Sequence, residues 1–397
     1  MSQSLAILEF IPTPEEFYAE FWNKRPFLVR QAVPKATIAG LIAADELAGL
    51  AMEEGPQTRL VETSGDFENW SCRFGPFGEK ELTTLAETNW SLLIQNVEQF
   101  HPDTSALLAC FNFAPRWMID DIMVSLSAPG GSVGPHMDSY HVFLVQGQGS
   151  RRWKVGSSVI ASATYMDNPD LKILDTPIQG DEVEVALGDV LYVPPHFAHQ
   201  GTTLTTALTF SVGFLGPKMS ELFGSYSQYL AELETTDQRY IGASLEPDSS
   251  GHIISNAVVR EVRTRLADHL MSPDFADWLV AFFTEPLAVD FAEEEGEEGL
   301  LDKAALANAL AQGATIYKPA YVKIAVILDD QGQTILGYCG QTCRIDDTQF
   351  AVVKRLIEGE SVSLEQHPAL QDDHVLELIV ELSNFQAIEI TSSDCEH

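Results

Sequence analysis

Positively charged residues are scarce in this chain. Only 23 of its 397 residues are lysine or arginine, against 58 aspartates and glutamates, and the formal net charge is −35. A field of that sign repels nucleic acids and anionic membrane surfaces and attracts cationic partners, although it also favours solubility by itself. We therefore do not expect direct DNA binding, and a cationic partner fits the charge.

Long hydrophobic runs and a regular cysteine pattern are also missing. No apolar run approaches the roughly 20 residues that cross a bilayer, and the N-terminus lacks the basic start of a signal peptide. We expect a cytoplasmic protein without a membrane partner. The five cysteines are irregularly spaced, and Cys339 and Cys343 have no second pair nearby, so neither a disulfide framework nor a zinc site is expected.

Three segments with different patterns divide the chain. Within residues 1–216, short β-rich runs from Met118 to Gly216, punctuated by glycine and proline, predict an antiparallel sandwich or barrel. Residues 217–290 have helical apolar stripes that fit a dimer interface or an ordinary core. Residues 300–397 predict a helix, two strands and two helices, as in a small winged-helix-like domain. The acidic run Glu293–Gly299 is typical of a solvated linker.

Local patterns predict the elements that precede the β-rich region. PEEFYAEFWN predicts a helix over residues 14–23 that begins at a proline, and RPFLVR predicts a strand over residues 25–30. The spacing of apolar residues from Leu82 to Val97 is helix-like. These elements would precede the β-rich region in the chain.

The segment GPHMDSYHVF contains the pattern with the clearest chemistry. On a strand, His136 and Asp138 would lie on the same face and could bind one ion together. His199 follows 61 residues after Asp138, in GDVLYVPPHFAHQG, at the end of a second predicted strand. Two histidines and one carboxylate leave coordination positions open, as in non-haem iron(II) oxygenases, where an oxoacid and dioxygen occupy them.

Other residues near this pattern need to be weighed. His141 would face away from Asp138, whereas His196, in the turn after Pro195, competes with His199 as the third ligand. An oxoacid with two carboxylates also needs a cation at its far end. Arg151 and Arg152 begin the strand RRWKVG, and because neighbouring residues on a strand face opposite sides, one of them can point inward.

At these residues the chain resembles the bacterial ribosomal oxygenases, which are JmjC-domain protein hydroxylases. The matching stretches are FWNKRPFLVRQA, DDIMVSLSAPGGSVGPHMDSYHVFLVQGQGSRRWKVG, GDVLYVPPHFAHQG and TFSVGF. The resemblance implies an α+β protein: a double-stranded β-helix (jelly-roll, cupin-type JmjC) domain over residues 1–216, a helical dimerisation domain over 217–290 and a winged-helix-like domain over 300–397. It also implies a homodimer.

The resemblance further implies cofactors, substrate and site residues. The cofactors would be iron(II), 2-oxoglutarate as cosubstrate and dioxygen, and the substrate an arginine of a basic large-subunit ribosomal protein. The predicted residues, with no catalytic group beyond the metal site, are His136, Asp138 and His199 for the metal, Arg151 with Ser127 for 2-oxoglutarate, and Asp121 and Tyr140 for the substrate arginine.

Several alternatives stay open. The substrate guanidinium needs a carboxylate and can stack on an aromatic ring, but Asp120 could replace Asp121. The same iron chemistry could demethylate lysine, or hydroxylate another protein, and formaldehyde release separates demethylation from hydroxylation. A metal cupin that is not an oxygenase would work without 2-oxoglutarate. A DNA-binding regulator would show salt-sensitive duplex binding.

Overall fold

The computed structural model describes residues 5–64, 69–168, 170–233, 239–242, 252–286, 300–329 and 332–391. The chain forms two compact units, with the boundary between Gly216 and Pro217. The predicted linker Glu293–Gly299 lies outside the described residues. Within the described ranges, no helix is long and apolar enough to cross a membrane. The assignment of catalytic, dimerisation and winged-helix domains to their predicted residue ranges stays a prediction.

Short helices and long strands make up the first unit. In chain order its strands and α-helices are β1 (Ala6–Leu8), α1 (Pro14–Glu16), β2 (Phe27–Val29), α2 (Lys35–Ala39), α3 (Ala44–Leu50), β3 (Thr58–Thr63), β4 (Trp70–Phe74), α4 (Glu79–Thr83), β5 (Trp90–Ile94), α5 (Val97–Phe100), β6 (Ile119–Ser127), β7 (His141–Val159), β8 (Gly180–Val185), β9 (Val190–Val193) and β10 (Phe197–Phe214). A π-helical turn, Phe17–Phe21, continues α1, and 3-10 helices span Pro102–Phe111 and Arg116–Met118.

One sheet contains all these strands, in the order β1-β2-β9-β7-β10-β6-β5-β3-β4, with β8 beside β7. Only the β1–β2 pair among them is parallel. Strands β7 and β10 pair along almost their whole length, with several register shifts. Such irregularities bend a pair of strands and increase its twist, which allows the sheet to curl around a core. The result is the double-stranded β-helix.

Successive side chains of β7 belong in turn to two different hydrophobic cores of this unit. Phe143 and Val145 pack with the N-terminal aromatic residues Phe17 and Phe27, whereas the intervening Val142 and Leu144 belong to a second cluster. Successive side chains of a strand point to opposite faces, so β7 is buried on both sides. This double burial gives the strands next to the site a rigid setting.

The second unit is mostly helical at its start and mixed afterwards. Its elements are α6 (Met219–Leu233), α7 (Asn256–Leu270), α8 (Asp274–Thr284), α9 (Lys303–Ala311), β11 (Thr315–Tyr317), β12 (Ile324–Leu328), β13 (Thr334–Tyr338), β14 (Gln341–Ile345), α10 (Asp347–Ile357), β15 (Val362–Ser363), α11 (Asp373–Asn384) and β16 (Glu389–Thr391), with a 3-10 helix, Pro368–Gln371, before α11. Strands β12-β13-β14 form one antiparallel sheet and β15-β11-β16 another.

The prediction of helix-like structure from Leu82 to Val97 is wrong. The helix α4 ends at Thr83, and Trp90–Ile94 is the strand β5. Leu92, Leu93 and Ile94 are all buried. A strand buried on both faces has a continuous apolar run, which periodicity alone does not separate from a buried helix.

Candidate active site

The predicted metal ligands lie together at one end of the β7–β10 pair. The ligand atoms of His136, Asp138 and His199 all lie within 4.8 Å of one another, and they form the one such His/Cys/Asp/Glu cluster among the described residues. Asp138 Oδ2 is 3.4 Å from His199 Nε2 and 4.0 Å from His136 Nε2. The cluster is thus dense enough for a single ion to bind all three side chains.

The backbone fixes both imidazoles for this purpose. His136 and His199 exchange two main-chain hydrogen bonds, of 3.0 and 2.8 Å, as an isolated antiparallel bridge. Nδ1 of His136 lies 2.9 Å from the Gly134 carbonyl oxygen, and Nδ1 of His199 lies 3.1 Å from that of Phe197. Because a carbonyl oxygen only accepts, each Nδ1 carries the proton, and each Nε2 presents a lone pair to a metal.

One part of the sequence-based interpretation is corrected here. His136 and Asp138 do not lie on one strand, because β7 begins only at His141 and of the two residues only His136 takes part in a bridge. Asp138 instead belongs to a loop whose carbonyl accepts a hydrogen bond of 2.8 Å from the main-chain N–H of His196. The loop, and not strand alternation, brings Asp138 to the metal cluster.

The two competing histidines have different surroundings. His196 has an exposed side chain and a left-handed backbone, with φ 64°, and it lies outside the metal cluster. His141 is buried, stacks on Trp22 with a centroid distance of 3.4 Å, and lies 2.7 Å from the hydroxyl of Tyr192. Burial lowers the pKa of His141 to about 4, so it is a neutral core histidine.

Register decides which of the two neighbouring arginines is internal. Arg151 is 6% exposed, whereas Arg152 is exposed and pairs with Glu184 at 2.6 Å. The Arg151 guanidinium donates from Nη2 to Ser127 Oγ at 2.6 Å, and Ser127 in turn donates to Ser91 Oγ at 2.8 Å. The predicted pair of Arg151 and Ser127 is therefore in direct contact.

Arg151 has the environment that a carboxylate ligand would complete. Its Nε is buried without a hydrogen-bond partner, and the guanidinium forms no ion pair within the described part of the chain. Burial lowers the pKa of Arg151 to about 10, which still leaves it cationic at neutral pH. A buried cation without a counter-charge is unfavourable, and a dicarboxylate cosubstrate supplies that charge as well as acceptors for a planar fork.

A line of residues on β10 connects the metal cluster with this cation. His199, Gly201 and Thr203 alternate along the strand and stand opposite Val155, Trp153 and Arg151 of β7. The positions of His199 and Thr203 are roughly 13 Å apart along the strand, a span that the arginine side chain and a five-carbon diacid can cover together. This spacing is compatible with a dicarboxylate that reaches from the metal cluster to Arg151.

Sequence reasoning missed two members of this line. A Cβ at Gly201 would lie 2.9 Å from Arg151 Cδ and 2.8 Å from the Trp153 ring, so the glycine makes room for both side chains. Thr203 Oγ1 is buried and has no hydrogen-bond partner among the described residues. Counting every second residue from His199 would have found both positions in HQGTT.

The predicted substrate residues lie together as well. A Cβ added to Gly213 of β10 would lie 3.4 Å from Asp121 Oδ1 and 3.7 Å from Tyr140 Cε2, so these two side chains flank the glycine. Burial raises the pKa of Tyr140, and the carboxylates of Asp138 and Asp121 raise it further. The Tyr140 hydroxyl is thus electrostatically coupled to a metal ligand and to the predicted substrate carboxylate.

Comparison with known proteins identifies the family of the chain. Residues 106–222 match the model of the JmjC domain, and residues 265–389 match that of the ROXA-like winged helix. The chain is 34% identical over 317 residues to the ribosomal protein uL16 3-hydroxylase of Escherichia coli, covering 79% of this chain and 82% of that protein. It is 41% identical over 218 residues to a probable ribosomal oxygenase of Haemophilus influenzae, covering 54% of this chain and 53% of that one.

A solved structure extends the similarity to nearly the whole chain. YcfD, a ribosomal oxygenase from Escherichia coli in complex with cobalt and 2-oxoglutarate, superposes with a TM-score of 0.78 at 29% identity, covering 97% of this chain and 99% of YcfD. The fold and the site define a JmjC-type, 2-oxoglutarate-dependent oxygenase. The chain belongs to the bacterial ribosomal oxygenases. The predicted α+β fold class and the predicted cofactors of the family are thereby confirmed.

Proposed function

We propose that this protein hydroxylates an arginine side chain of a large-subunit ribosomal protein, with iron(II), 2-oxoglutarate and dioxygen. In this reaction class one oxygen atom of dioxygen enters a substrate C–H bond, and the other enters the succinate formed as 2-oxoglutarate loses carbon dioxide. Iron, when bound by His136, Asp138 and His199, supplies the activation of dioxygen. The named relative modifies ribosomal protein uL16, which supports a ribosomal substrate.

The arrangement around Gly213 is the observation that carries the arginine assignment. Asp121 offers a carboxylate and Tyr140 an aromatic ring within 4 Å of the position that a Cβ at residue 213 would take. A guanidinium pairs with a carboxylate through parallel hydrogen bonds and stacks on an aromatic face. Tyr140 follows the ligand Asp138 by two residues, so a side chain bound there lies beside the metal. The net charge of −35 also steers a basic partner.

The protein's own residues would then have separate tasks. Arg151 and Ser127 orient the far carboxylate of 2-oxoglutarate, with Thr203 as an additional polar neighbour. Asp121 and Tyr140 orient the substrate side chain toward the metal. The hydrophobic residues around β7 limit the access of water, which strengthens the electrostatic contacts inside the site.

Mass spectrometry of a ribosomal large-subunit protein, incubated with this enzyme, iron(II) and 2-oxoglutarate, tests the proposal. We expect one added oxygen atom on an arginine, absent with His136→Ala and strongly reduced with Asp121→Ala. An oxygen on another residue type would contradict the arginine assignment alone. Formaldehyde release would indicate demethylation, and consumption of 2-oxoglutarate without any modification would contradict the ribosomal substrate. Absence of both metal binding and 2-oxoglutarate turnover would overturn the whole proposal.

We further propose that the protein is a homodimer that associates through α6 and α7. Met219 and Phe223 of α6 are 65% and 57% exposed, and they border a cavity of about 220 Å³ whose lining includes Leu270 and Trp278. Exposed apolar surface of this kind is typical of an interface. Light scattering should show a dimer for the native protein and a monomer for Phe223→Lys, whereas Gln228→Lys, on another side of α6, should stay dimeric. A monomeric native protein would contradict this proposal.

A further inference from the structure

The hydrogen-bond ladder of β6 is incomplete on one side, just beside Asp121. Strand β5 pairs with β6 from Ser91 to Ile94, and its last partner is Val124. Beyond this point the chain leaves the sheet and turns into α5. The main-chain N–H of Ile122 instead donates a hydrogen bond to a side chain, with 2.9 Å between Ile122 N and Glu98 Oε2. Glu98 is only 4% exposed, so its carboxylate takes the place of the missing strand.

The opposite side of β6 has a β-bulge at the same level. Val212 of β10 pairs with Ile122, but Phe214 pairs with Ile119, so two residues of β6 face the single residue Gly213. The two residues are Asp120 and Asp121. A Cβ at Gly213 would lie 3.4 Å from Asp121 Oδ1 and 3.7 Å from Asp120 Cβ. Bulges occur near active sites, where they change the direction of a side chain, and here the bulge directs a carboxylate toward Gly213.

A reciprocal contact ties the bulge to the segment that bears Glu98. Asp121 Oδ2 accepts the main-chain N–H of Asn96 at 3.3 Å, while Glu98 accepts that of Ile122. Asn96 has a left-handed backbone, with φ 54°, which starts the turn into α5. Two carboxylates and two main-chain N–H groups therefore cross-link residues 96–98 with residues 121–122. Neither carboxylate can shift without breaking a hydrogen bond that is buried at Glu98 and partly buried at Asp121.

The charges in this region are strongly unbalanced. Glu98 is faced by the carboxylates of Asp121 and Asp120, and Asp121 is further coupled to Tyr140 and to the cation Arg59. Burial, with a smaller contribution from the carboxylates of Asp121 and Asp120, raises the pKa of Glu98 to about 7, against the lowering effect of the Ile122 N–H. Burial raises the pKa of Asp121 to about 7 as well, helped by Asp120 and opposed by the Asn96 N–H and Arg59.

We propose that Glu98 is a positioning residue that fixes the bulge of β6, so that Asp121 is aimed at the cationic side chain of the substrate. The inference rests on the proposed function, because it assumes that Asp121 binds that cation. Glu98 does not touch the substrate in this arrangement, since its carboxylate is directed at Ile122. It acts through the main chain beneath Asp121, and through the electrostatic coupling of the two carboxylates.

Two substitutions of Glu98 separate position from charge. Glu98→Ala removes the acceptor of the Ile122 N–H, and we expect the KM for the protein substrate to rise about tenfold or more. Glu98→Gln keeps an oxygen that can accept this N–H but removes the charge. Its KM should stay near the native value at high pH. In the native enzyme the KM for the protein substrate should fall as Asp121 ionises with rising pH. In Glu98→Gln this fall should occur at lower pH, because the loss of a neighbouring negative charge lowers the pKa of Asp121.

The controls distinguish this inference from a folding defect and from failure of the proposed function. Binding of 2-oxoglutarate to the metal-loaded variants should be unchanged, since Arg151 and the metal ligands are untouched. Asp189→Asn is a control at another buried carboxylate, because Asp189 also accepts main-chain N–H groups, those of Gln31 and Ala186, and in addition pairs with Arg30 at 2.6 Å. It should leave the pH profile for the protein substrate unaltered.

Each outcome has a definite meaning. An unchanged KM in Glu98→Ala that still binds 2-oxoglutarate overturns the inference. If Glu98→Ala does not fold, Glu98→Gln decides, and a pH profile identical to that of the native enzyme then counts against it. Asp121→Ala tests the assumption that Asp121 binds the cationic side chain of the substrate. If that variant keeps the native KM, the proposed substrate site is wrong; if its KM rises while both Glu98 variants behave as the native enzyme, only the role of Glu98 is wrong.

Discussion

Replacing Arg151 by methionine should weaken 2-oxoglutarate binding and stabilise the ligand-free protein at the same time. Methionine is unbranched and uncharged, and its side chain is shorter than that of arginine. In the native protein the guanidinium is buried, donates to Ser127, and has an unpartnered Nε. A dicarboxylate ligand supplies the missing counter-charge. The two effects therefore have opposite signs, which a general loss of structure cannot produce.

The size of each effect follows from the burial of Arg151. Removing one partner of a buried ion pair costs about 3–5 kcal/mol, which corresponds to about two to four powers of ten in the Kd for 2-oxoglutarate. Without ligand, burial lowers the pKa of Arg151 from 12.5 to about 10, a penalty on the order of 3 kcal/mol for the charged form. After subtracting about 1 kcal/mol for the lost hydrogen bond to Ser127, the variant should gain roughly 2 kcal/mol.

Two measurements check this prediction. Calorimetric titration of 2-oxoglutarate into protein loaded with a redox-inert divalent metal gives the Kd, and denaturant unfolding of the ligand-free protein gives the stability. Arg152→Met is the matched control, because the neighbouring arginine is exposed and pairs with Glu184, and it should leave the Kd unchanged. The reasoning is refuted if Arg151→Met binds 2-oxoglutarate within a factor of about three of the native protein.

Three further predictions concern the metal, the substrate space and the pH dependence of stability. His199→Ala should abolish tight metal binding while His196→Ala should retain it, measured by metal titration; the reverse result would identify His196 as the ligand. Gly213→Ala adds a methyl at van der Waals distance from Asp121 and Tyr140, so KM for the protein substrate should rise without a change in KM for 2-oxoglutarate. An unchanged protein KM would place the substrate elsewhere. Glu98 has a pKa of about 7 in the folded state, against an ordinary value of 4.5. Between these two pH values the unfolded state has released the Glu98 proton, whereas the folded state still keeps it. The free energy of unfolding therefore falls as pH rises through this range. Glu98→Gln removes that loss, and relative to the native protein it should be more stable at pH 8 than at pH 5, by at most on the order of 3 kcal/mol in denaturant unfolding; an equal difference at both pH values would contradict the raised pKa.

The cluster that could hold the metal was predictable because its chemistry is local. The residue types and the strand-forming sequence around His136 and His199 are visible without any knowledge of the fold. The choice between His196 and His199 was supported only by resemblance to the family. The structure adds the reason: His196 occupies the turn itself, with φ 64°, whereas His199 is on β10 and forms a bridge with His136.

Other features depended on long-range register, which sequence patterns do not contain. Which of Arg151 and Arg152 points inward follows from the pairing of β7 with β10, where register shifts interrupt simple alternation. The role inferred for Glu98 has no local signal, because NVEQF is an ordinary helix start. Its partner Ile122 is 24 residues away. The need for that carboxylate arises only because β5 ends at Ile94, opposite Val124, and leaves Ile122 without a strand partner on that side.

The first unit contains two buried charged regions of opposite sign, and this arrangement bears on how the enzyme sorts its ligands. In the first region, Arg151 is a cation without an ion-pair partner in the described part of the chain. In the second region, carboxylates cluster at the bulge beside Gly213, and burial raises the pKa of two of them, Glu98 and Asp121. A dianionic cosubstrate is attracted to the first region and repelled by the second, and a cationic side chain experiences the opposite forces. Specificity achieved in this way includes repulsion of the wrong ligand as well as attraction of the right one. If the substrate side chain is a cation, as proposed, each ligand would bring the charge that its own region lacks, and its binding would relieve a cost that the ligand-free fold carries.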